Sequence, residues 1–503
     1  MIKTNKNIIR IAAIIIYLLL ISITLFIVSS LYSYLNTGAD RASMLHVSTY
    51  KNRQYIPKIN WIENGNEGRE IPEQTLKQIE NDYLNSWYVK NIAEATNTKV
   101  GIEDYYTKNA RRKMYNAIDY NTSEEITIDG TTINHTTDIQ FFSEDGQLVV
   151  LEDKNVLEYT SIYKKDSLLD RFTTVSDYKV LLLLEDGFWR VRHKVKQVER
   201  EYKKDSTNTI NLLNIKGINY YPQKNPWDTF GNDFSEEVLQ KDFSIIKKVG
   251  LNTIRIFIGY EDFGKENVAE SKLKKLNTLL TIAQENDLQV VVTLFDFYGN
   301  YSVLDWTFTH RHAETIVTRF KNHPAVLAWD IKNEPNLDFE SRGKEKVLAW
   351  LEHMILVIRN SDKENYITIG WSNLESASFL KDDLDFISFH YYEDVETFEE
   401  KYVKLKESIK NKPLVLGEFG LSSYSGFWNF FGGSKEKQEK YHLEMQKVLT
   451  SKEIPFMSWT LYDFDEVPES VVGKLPWRKN PQKKFGFIDS NGNKKPAFQH
   501  IAK

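Results

Sequence analysis

Cysteine is absent from the 503 residues. That one absence excludes disulfides, thiolate nucleophiles, iron–sulfur clusters and cysteine-bound zinc. A basic surplus is missing too. Lys and Arg number 65 against 70 Asp and Glu, a net charge of −5, whereas nucleic-acid binders normally carry a basic excess. Charge disappears altogether between Ile11 and Ala39. What remains is a globular mixture, 41% hydrophobic and 27% charged, long enough for about three structural units.

The charge-free stretch comes first. Ile11 to Leu31 is dominated by Ile, Leu, Val and Phe, and a bilayer core needs roughly 20 apolar residues in a helix. The apolar region of a cleavable signal peptide is only ~7–15 residues, so a retained signal anchor over 11–35 is expected. The alternative is cleavage after Ala39, where Thr37 and Ala39 form a small-x-small pair. Lys3, Lys6 and Arg10 place residues 1–10 in the cytoplasm by the positive-inside rule. Tyr32 and Tyr34 fall where an outer interfacial belt would lie. Residues 36–71 read as a polar stalk, and everything beyond the anchor is expected outside the cytoplasmic membrane. An exported chain of this size without cysteine fits a bacterium.

Residues 72–199 read as a small α+β domain. Leu76, Ile79, Tyr83, Leu84, Trp87 and Tyr88 recur at helical spacing after Pro72, and a second helical run covers 102–118. Alternating β-branched segments follow, with Asp129-Gly130, Asp145-Gly146 and Asp186-Gly187 as expected hairpin turns. The last hairpin, EDGFWRV, resembles nuclear transport factor 2-like domains, which implies helices packed on a curved sheet. His135 and His193 read as ordinary strand residues, and no cluster of acid, base or metal ligand is evident. The expected role is a spacer or a contact for a protein partner. Residues 200–209 read as a linker.

From 210 to 503 short β-rich runs alternate with helical ones. The runs are NLLNIKGINYY, LNTIRIFI, LQVVVTLFD, VLAWDIKNEP, NYITIGWS, LDFISFHYY, KPLVLGEFG and PFMSWTLYDF. Continuous apolar strands between helices imply a parallel sheet buried on both faces. Eight of them in some 290 residues predict a closed (β/α)8 TIM barrel. An open doubly wound sheet is the rival, but no Gly-rich phosphate loop follows the first strand.

Working residues of such barrels cluster at the C-terminal strand ends. The strand ends collect Arg255; Asp296 and Tyr298; Asn333 and Glu334; Trp371 and Asn373; His390 and Tyr392; Glu418; and Trp459, Tyr462 and Asp463. Two glutamates can divide the labour of glycosidic cleavage, one giving a proton to the leaving oxygen and the other attacking the anomeric carbon. Arg255 would hold Glu418 charged, with Tyr392 and His390 donating hydrogen bonds to it. An apolar wall and the field of Glu418 would keep Glu334 protonated. Asn333 suits a sugar 2-hydroxyl, and Trp459 offers a flat ring to a pyranose.

AWDIKNEP, FHYY, LVLGEFG and SWTLYDF resemble the strand-four, -six, -seven and -eight signatures of the glycoside hydrolase clan A barrels, most of all family 5. The resemblance covers about 210–500. It implies Glu334 as acid/base and Glu418 as nucleophile of a retaining enzyme, Asn333 at the 2-hydroxyl, and Arg255 and Tyr392 beside the nucleophile. His390 would lie near the site and Trp459 would form the platform. No metal or organic cofactor is implied. Many members carry a histidine two residues after the strand-three aspartate; here Asp296-Phe297-Tyr298 stands instead, with Tyr298 expected to bond a sugar hydroxyl. Tyr301, Trp306, Phe308, Phe427, Trp428, Phe430, Phe431 and Trp477 are sugar-stacking candidates whose alternative is a hydrophobic plug under the loops. The expected function is cleavage of β-linked polysaccharide or oligosaccharide, a β-glucan or β-mannan, at the membrane surface. The rivals are a transglycosylase using the same glutamates, a non-catalytic carbohydrate-binding scaffold, and a main role for the N-terminal unit.

Overall fold

A computed structural model describes residues 6–36, 55–62, 65–203, 206–207, 214–426 and 432–502. Helix α1 (Lys6–Asn36) opens the chain. Its described side chains, 14–29 and 31, are all exposed. Among the described residues no helix is long and apolar enough to cross a membrane. The anchor expected over 11–35 reaches past those described side chains at both ends. Tyr32, Tyr34 and residues 37–54 of the stalk lie outside the described side chains. The remainder of the stalk is not all free chain, because Lys58–Ile62 forms strand β1 and pairs in parallel with β3.

The accessory domain packs helices α2 (Glu73–Thr96) and α3 (Lys108–Ser123) on a six-stranded sheet. Its other strands are β2 (Ile126–Thr132), β3 (Asn134–Phe142), β4 (Leu148–Lys164), β5 (Ser167–Glu185) and β6 (Phe188–Glu201). Register shifts at Asp153/Val156 and Asp177/Tyr178 mark bulges, which bend the long strands. Asp186 and Gly187 turn β5 into β6 with φ of 51° and 83°, the pair of left-handed residues a tight hairpin requires. Asp129-Gly130, in contrast, lies inside β2. The β4–β5 turn is made by Lys165 and Asp166, at φ 49° and 63°. The run 102–118 breaks where Tyr106 and Thr107 are extended.

His135 is no ordinary strand residue. Fully buried, its Nδ1 lies 2.6 Å from Asp153. Thr132 sits 2.9 Å from its other nitrogen, and the Tyr83 hydroxyl donates to Asp153 at 2.6 Å. This network ties α2 to the sheet.

The C-terminal half is a closed barrel of eight parallel strands. They are β7 (Lys216–Asn219), β8 (Thr253–Gly259), β9 (Gln289–Asp296), β10 (Val326–Asn333), β11 (Tyr366–Trp371), β12 (Ile387–Tyr391), β13 (Leu414–Phe419) and β14 (Phe456–Ser458). Seven of them fall inside the expected runs, and β8 passes the end of its run, Ile258, by one residue. Around them lie α4 (Glu236–Lys248), α5 (Glu270–Glu285), α6 (Trp306–Phe320), α7 (Lys344–Ser361), α8 (Val395–Ser408) and α9 (Lys435–Ser451). Helix α4 illustrates the local logic. The Ser235 side chain caps it by accepting from Val238 N–H, acids fill its first turn and lysines its last, matching the helix dipole. Leu239, Phe243 and Ile246 then give it one buried apolar face.

The accessory sheet docks on α6 and α7. The Tyr159 ring lies 4.2 Å from Trp306, which stacks on His353 at 4.7 Å. Arg171 reaches Glu352 at 3.2 Å. Trp306 is therefore an interface anchor, and with Tyr301 and Phe308 it is buried; for these three rings the plug describes the packing. Phe427, Trp428, Phe430 and Phe431 lie outside the described residues.

Candidate active site

Arg255 organises the strand ends. Strands β7, β10 and β13 supply its partners, and at 1% exposure its charge must be satisfied by protein groups alone. Nε and Nη2 donate to Asp330 at 2.9 and 2.6 Å, Nη1 to Glu418 at 2.6 Å and Asn219 at 3.0 Å, and Nη2 also to Asn333 at 2.9 Å. Burial works against the guanidinium, but the two carboxylates outweigh it and push its pKa upward. Gly370 makes room for this packing, since a Cβ there would lie 2.6 Å from Arg255 Nη2.

The two glutamates meet. Glu334 stands at the end of β10 in a left-handed conformation, φ 49° and ψ 47°. That geometry costs a non-glycine residue about 1–3 kcal/mol. It is fixed by the Glu334 N–H bond to Gly370 O at 2.7 Å and by Pro335, which begins the next turn. His390 Nδ1 lies 2.9 Å from Glu334 Oε1 and 3.5 Å from Glu418 Oε2. Ligand atoms of Glu334, His390 and Glu418 all fall within 4.8 Å of one another. His390 thus bridges both carboxylates, and its shorter contact is to Glu334 rather than to Glu418 as expected. Tyr392 does donate to Glu418, at 2.9 Å. The residue as a whole is 43% exposed, but its hydroxyl is buried. Desolvation there, with the charges of Glu418 and Glu334, holds the phenol well above its usual pKa.

Glu334, Tyr392 and Glu418 line a cavity of about 360 Å³, within the range of small-molecule sites. Tyr221, Trp227, Phe257, Phe297, Trp459 and Phe485 form its apolar walls; Asp296, Asn333, Glu334, Tyr392 and Glu418 supply polar groups. Arg255 holds the Asn333 carbonyl oxygen, which leaves the amide nitrogen as the donor for a ligand. Asp296 accepts from the Tyr221 hydroxyl at 3.2 Å. Burial pushes it up to about 6, partly opposed by Lys332 and Arg255.

Tyr298 is the strand-end residue that departs. Phe297 takes φ 58°, which brings its own ring to the cavity. Tyr298 is instead 5% exposed, with its ring stacked 5.0 Å from Trp350; it is a packing residue. Trp371 is buried, Asn373 caps the turn at Ser376, and Asp463 pairs with Lys495 at 2.6 Å. The site residues unread in the sequence are Asn219, Asp330, Tyr221, Trp227 and Lys332. A lone Asp inside the apolar run VLAWDIKN was the available signal, because a buried acid needs a cation.

Glu334, His390 and Glu418 are also the one group among the described residues whose spacing could hold a metal ion. Arg255 already supplies the positive charge at Glu418, so the donor set does not call for one.

Residues 202–465, more than half of the chain, match the family described as Cellulase (glycosyl hydrolase family 5). Human beta-glucuronidase is 24% identical over 267 residues, 49% of this chain and 38% of that protein. Mannan endo-1,4-beta-mannosidase 3 of Arabidopsis thaliana is 25% identical over 221 residues, 36% of this chain and 51% of that protein. The chain thus spans about half or less of these curated relatives. An exo-beta-1,4-mannosidase from Opitutaceae bacterium strain TAV5 superposes with a TM-score of 0.48 at 17% identity, over 57% of this chain and 58% of that one.

Proposed function

The chain belongs to glycosyl hydrolase family 5, and from that premise we propose that it is a retaining hydrolase of β-linked polysaccharide or oligosaccharide, a β-mannan or β-glucan. The observation that carries the reading is the convergence of Glu334 and Glu418 within 4.8 Å around His390. Retaining enzymes hold their carboxyls about 5–5.5 Å apart, whereas inverting ones leave about 6.5–9.5 Å for a water.

Glu418 attacks the anomeric carbon while Glu334 protonates the departing glycosidic oxygen, giving a glycosyl ester on Glu418 and a free alcohol. Glu334, now a carboxylate, takes a proton from water, whose oxygen attacks the same carbon and expels Glu418. Both residues return to their starting states. Arg255 and Tyr392 hold the Glu418 carboxylate in line, and Asn333 offers its amide to the 2-hydroxyl. Trp459 and Trp227 present apolar faces to the ring. The exposed apolar run Ile14–Val28 on α1 supports anchoring at the outer side of a cytoplasmic membrane, so that the barrel meets polysaccharide as it crosses the cell surface.

Anomeric proton NMR during hydrolysis of mannan and glucan oligosaccharides tests the reading. The first-formed product has the β configuration. Glu418→Ala abolishes turnover, and azide restores it on an aryl glycoside with formation of an α-glycosyl azide. An α-configured first product, or full activity in Glu418→Ala, contradicts the proposal.

A further inference from the structure

The accessory domain holds a second cavity, of about 330 Å³, open between α3 and β6. Tyr106, Ala110, Met114, Ile118 and Val191 give its lining an apolar part. Lys90, Lys113, Arg192, His193 and Lys194 line it as well. The cavity's one acid, Glu94, is already committed to Lys90 at 2.7 Å. Lys113 and Arg192 make no ion pair among the described residues.

Lys194 is the odd group. Its Nζ is buried, sits 3.2 Å from the centre of the Trp87 ring, and has no hydrogen-bond partner among the described residues. An ammonium carries three donors, and a buried one without an acceptor is costly. We propose that this cavity binds a small amphipathic carboxylate, its apolar body against Met114 and Ile118 and its anionic head on Lys194, flanked by Lys113 and Arg192. This ligand is the missing acceptor, and the cationic lining complements its charge.

Burial holds the Lys194 amine down at about 7; Lys90 lowers it further, while Glu158, Glu94 and Asp153 pull the other way. An entering carboxylate favours the charged amine, so above neutral pH binding takes up a proton. The site is separate from the barrel and stands or falls independently of the hydrolase reading.

Isothermal titration of the full chain in lipid nanodiscs tests it, using 4-phenylbutyrate, 4-phenylbutan-1-ol and 4-phenylbutylamine. The carboxylate binds saturably, tenfold or more tighter than the alcohol, and the amine binds weakest. At pH 8 the heat of carboxylate binding varies with the ionisation enthalpy of the buffer. Lys194→Met brings the carboxylate down to the affinity of the alcohol and removes the buffer dependence, while Lys194→Arg keeps a preference for the acid. Ala117→Trp, which fills the cavity from the exposed face of α3, removes binding of both and guards against a misfolded Lys194 variant. Equal binding of acid and alcohol, no saturable binding of the acid, or an unchanged affinity in both Lys194→Met and Ala117→Trp overturns the proposal.

Discussion

Tyr392→Phe isolates one hydrogen bond of the site. The hydroxyl donates to Glu418 at 2.9 Å, and a hydrogen bond to a charged group is worth about 1.5–3 kcal/mol. At about 1.36 kcal/mol per decade, that is about a 10- to 150-fold loss of rate. The loss falls mainly on the second step, because the phenol stabilises the Glu418 carboxylate as it departs from the anomeric carbon. Packing changes little, since the residue is 43% exposed and Phe keeps the ring. Stability therefore stays within about 0.5 kcal/mol, a Tm change of about 1–2 °C. Stopped-flow with an aryl β-mannoside or β-glucoside reads both steps: a burst of phenol release followed by a slowed steady state. A kcat within about twofold of the parent, against the tenfold minimum worked above, refutes the reasoning. So does a rate loss accompanied by a large fall in Tm.

Arg255→Met leaves Asp330 and Glu418 buried without their counter-charge and destabilises the barrel by about 3–5 kcal/mol; urea denaturation measures it, and an unchanged midpoint contradicts the network. Asp296 titrates near 6 in the fold against 3.8 when free, so the folded chain binds the extra proton between those values. Stability accordingly falls as pH rises through about 4 to 6, and Asp296→Asn removes that fall. Relative to the parent the variant gains up to about 3 kcal/mol above pH 6; equal differences at pH 4 and 7.5 contradict this. Trp306→Ala empties the contact between accessory sheet and barrel at a cost of about 3–5 kcal/mol, read as a lower Tm and faster proteolysis after β6.

Much of this architecture was legible because it is local. Each barrel strand is a short apolar run with punctuated ends, and a closed parallel barrel brings those ends to one face. Glu334, Glu418, Asn333, Tyr392 and Trp459 could be collected from that rule alone, whereas Arg255, read as the end of the second strand, lies inside β8 with four strand residues after it. Asp330 escaped it because it lies inside its strand, and only closure of the barrel places it against Arg255, 75 positions away. Tyr298 misled because side-chain direction after β9 depends on one backbone angle, that of Phe297, which spacing does not encode. His135 seemed solitary because its partners Tyr83 and Asp153 come from a helix and another strand. Asp129-Gly130 had turn chemistry, yet pairing with Thr160 and Ser161 of β4 kept it in a strand; tertiary pairing outweighed local preference.

The central claim is that Glu418 forms the covalent bond. Incubation with 2-deoxy-2-fluoro β-mannosyl and β-glucosyl fluorides, followed by peptide mass mapping, tests it directly. The account predicts one added fluoroglycosyl group per chain, on the peptide segment LVLGEFG and at Glu418, with activity lost in step with labelling. A label on Glu334 or any other residue, or inactivation with no covalent adduct, would contradict it.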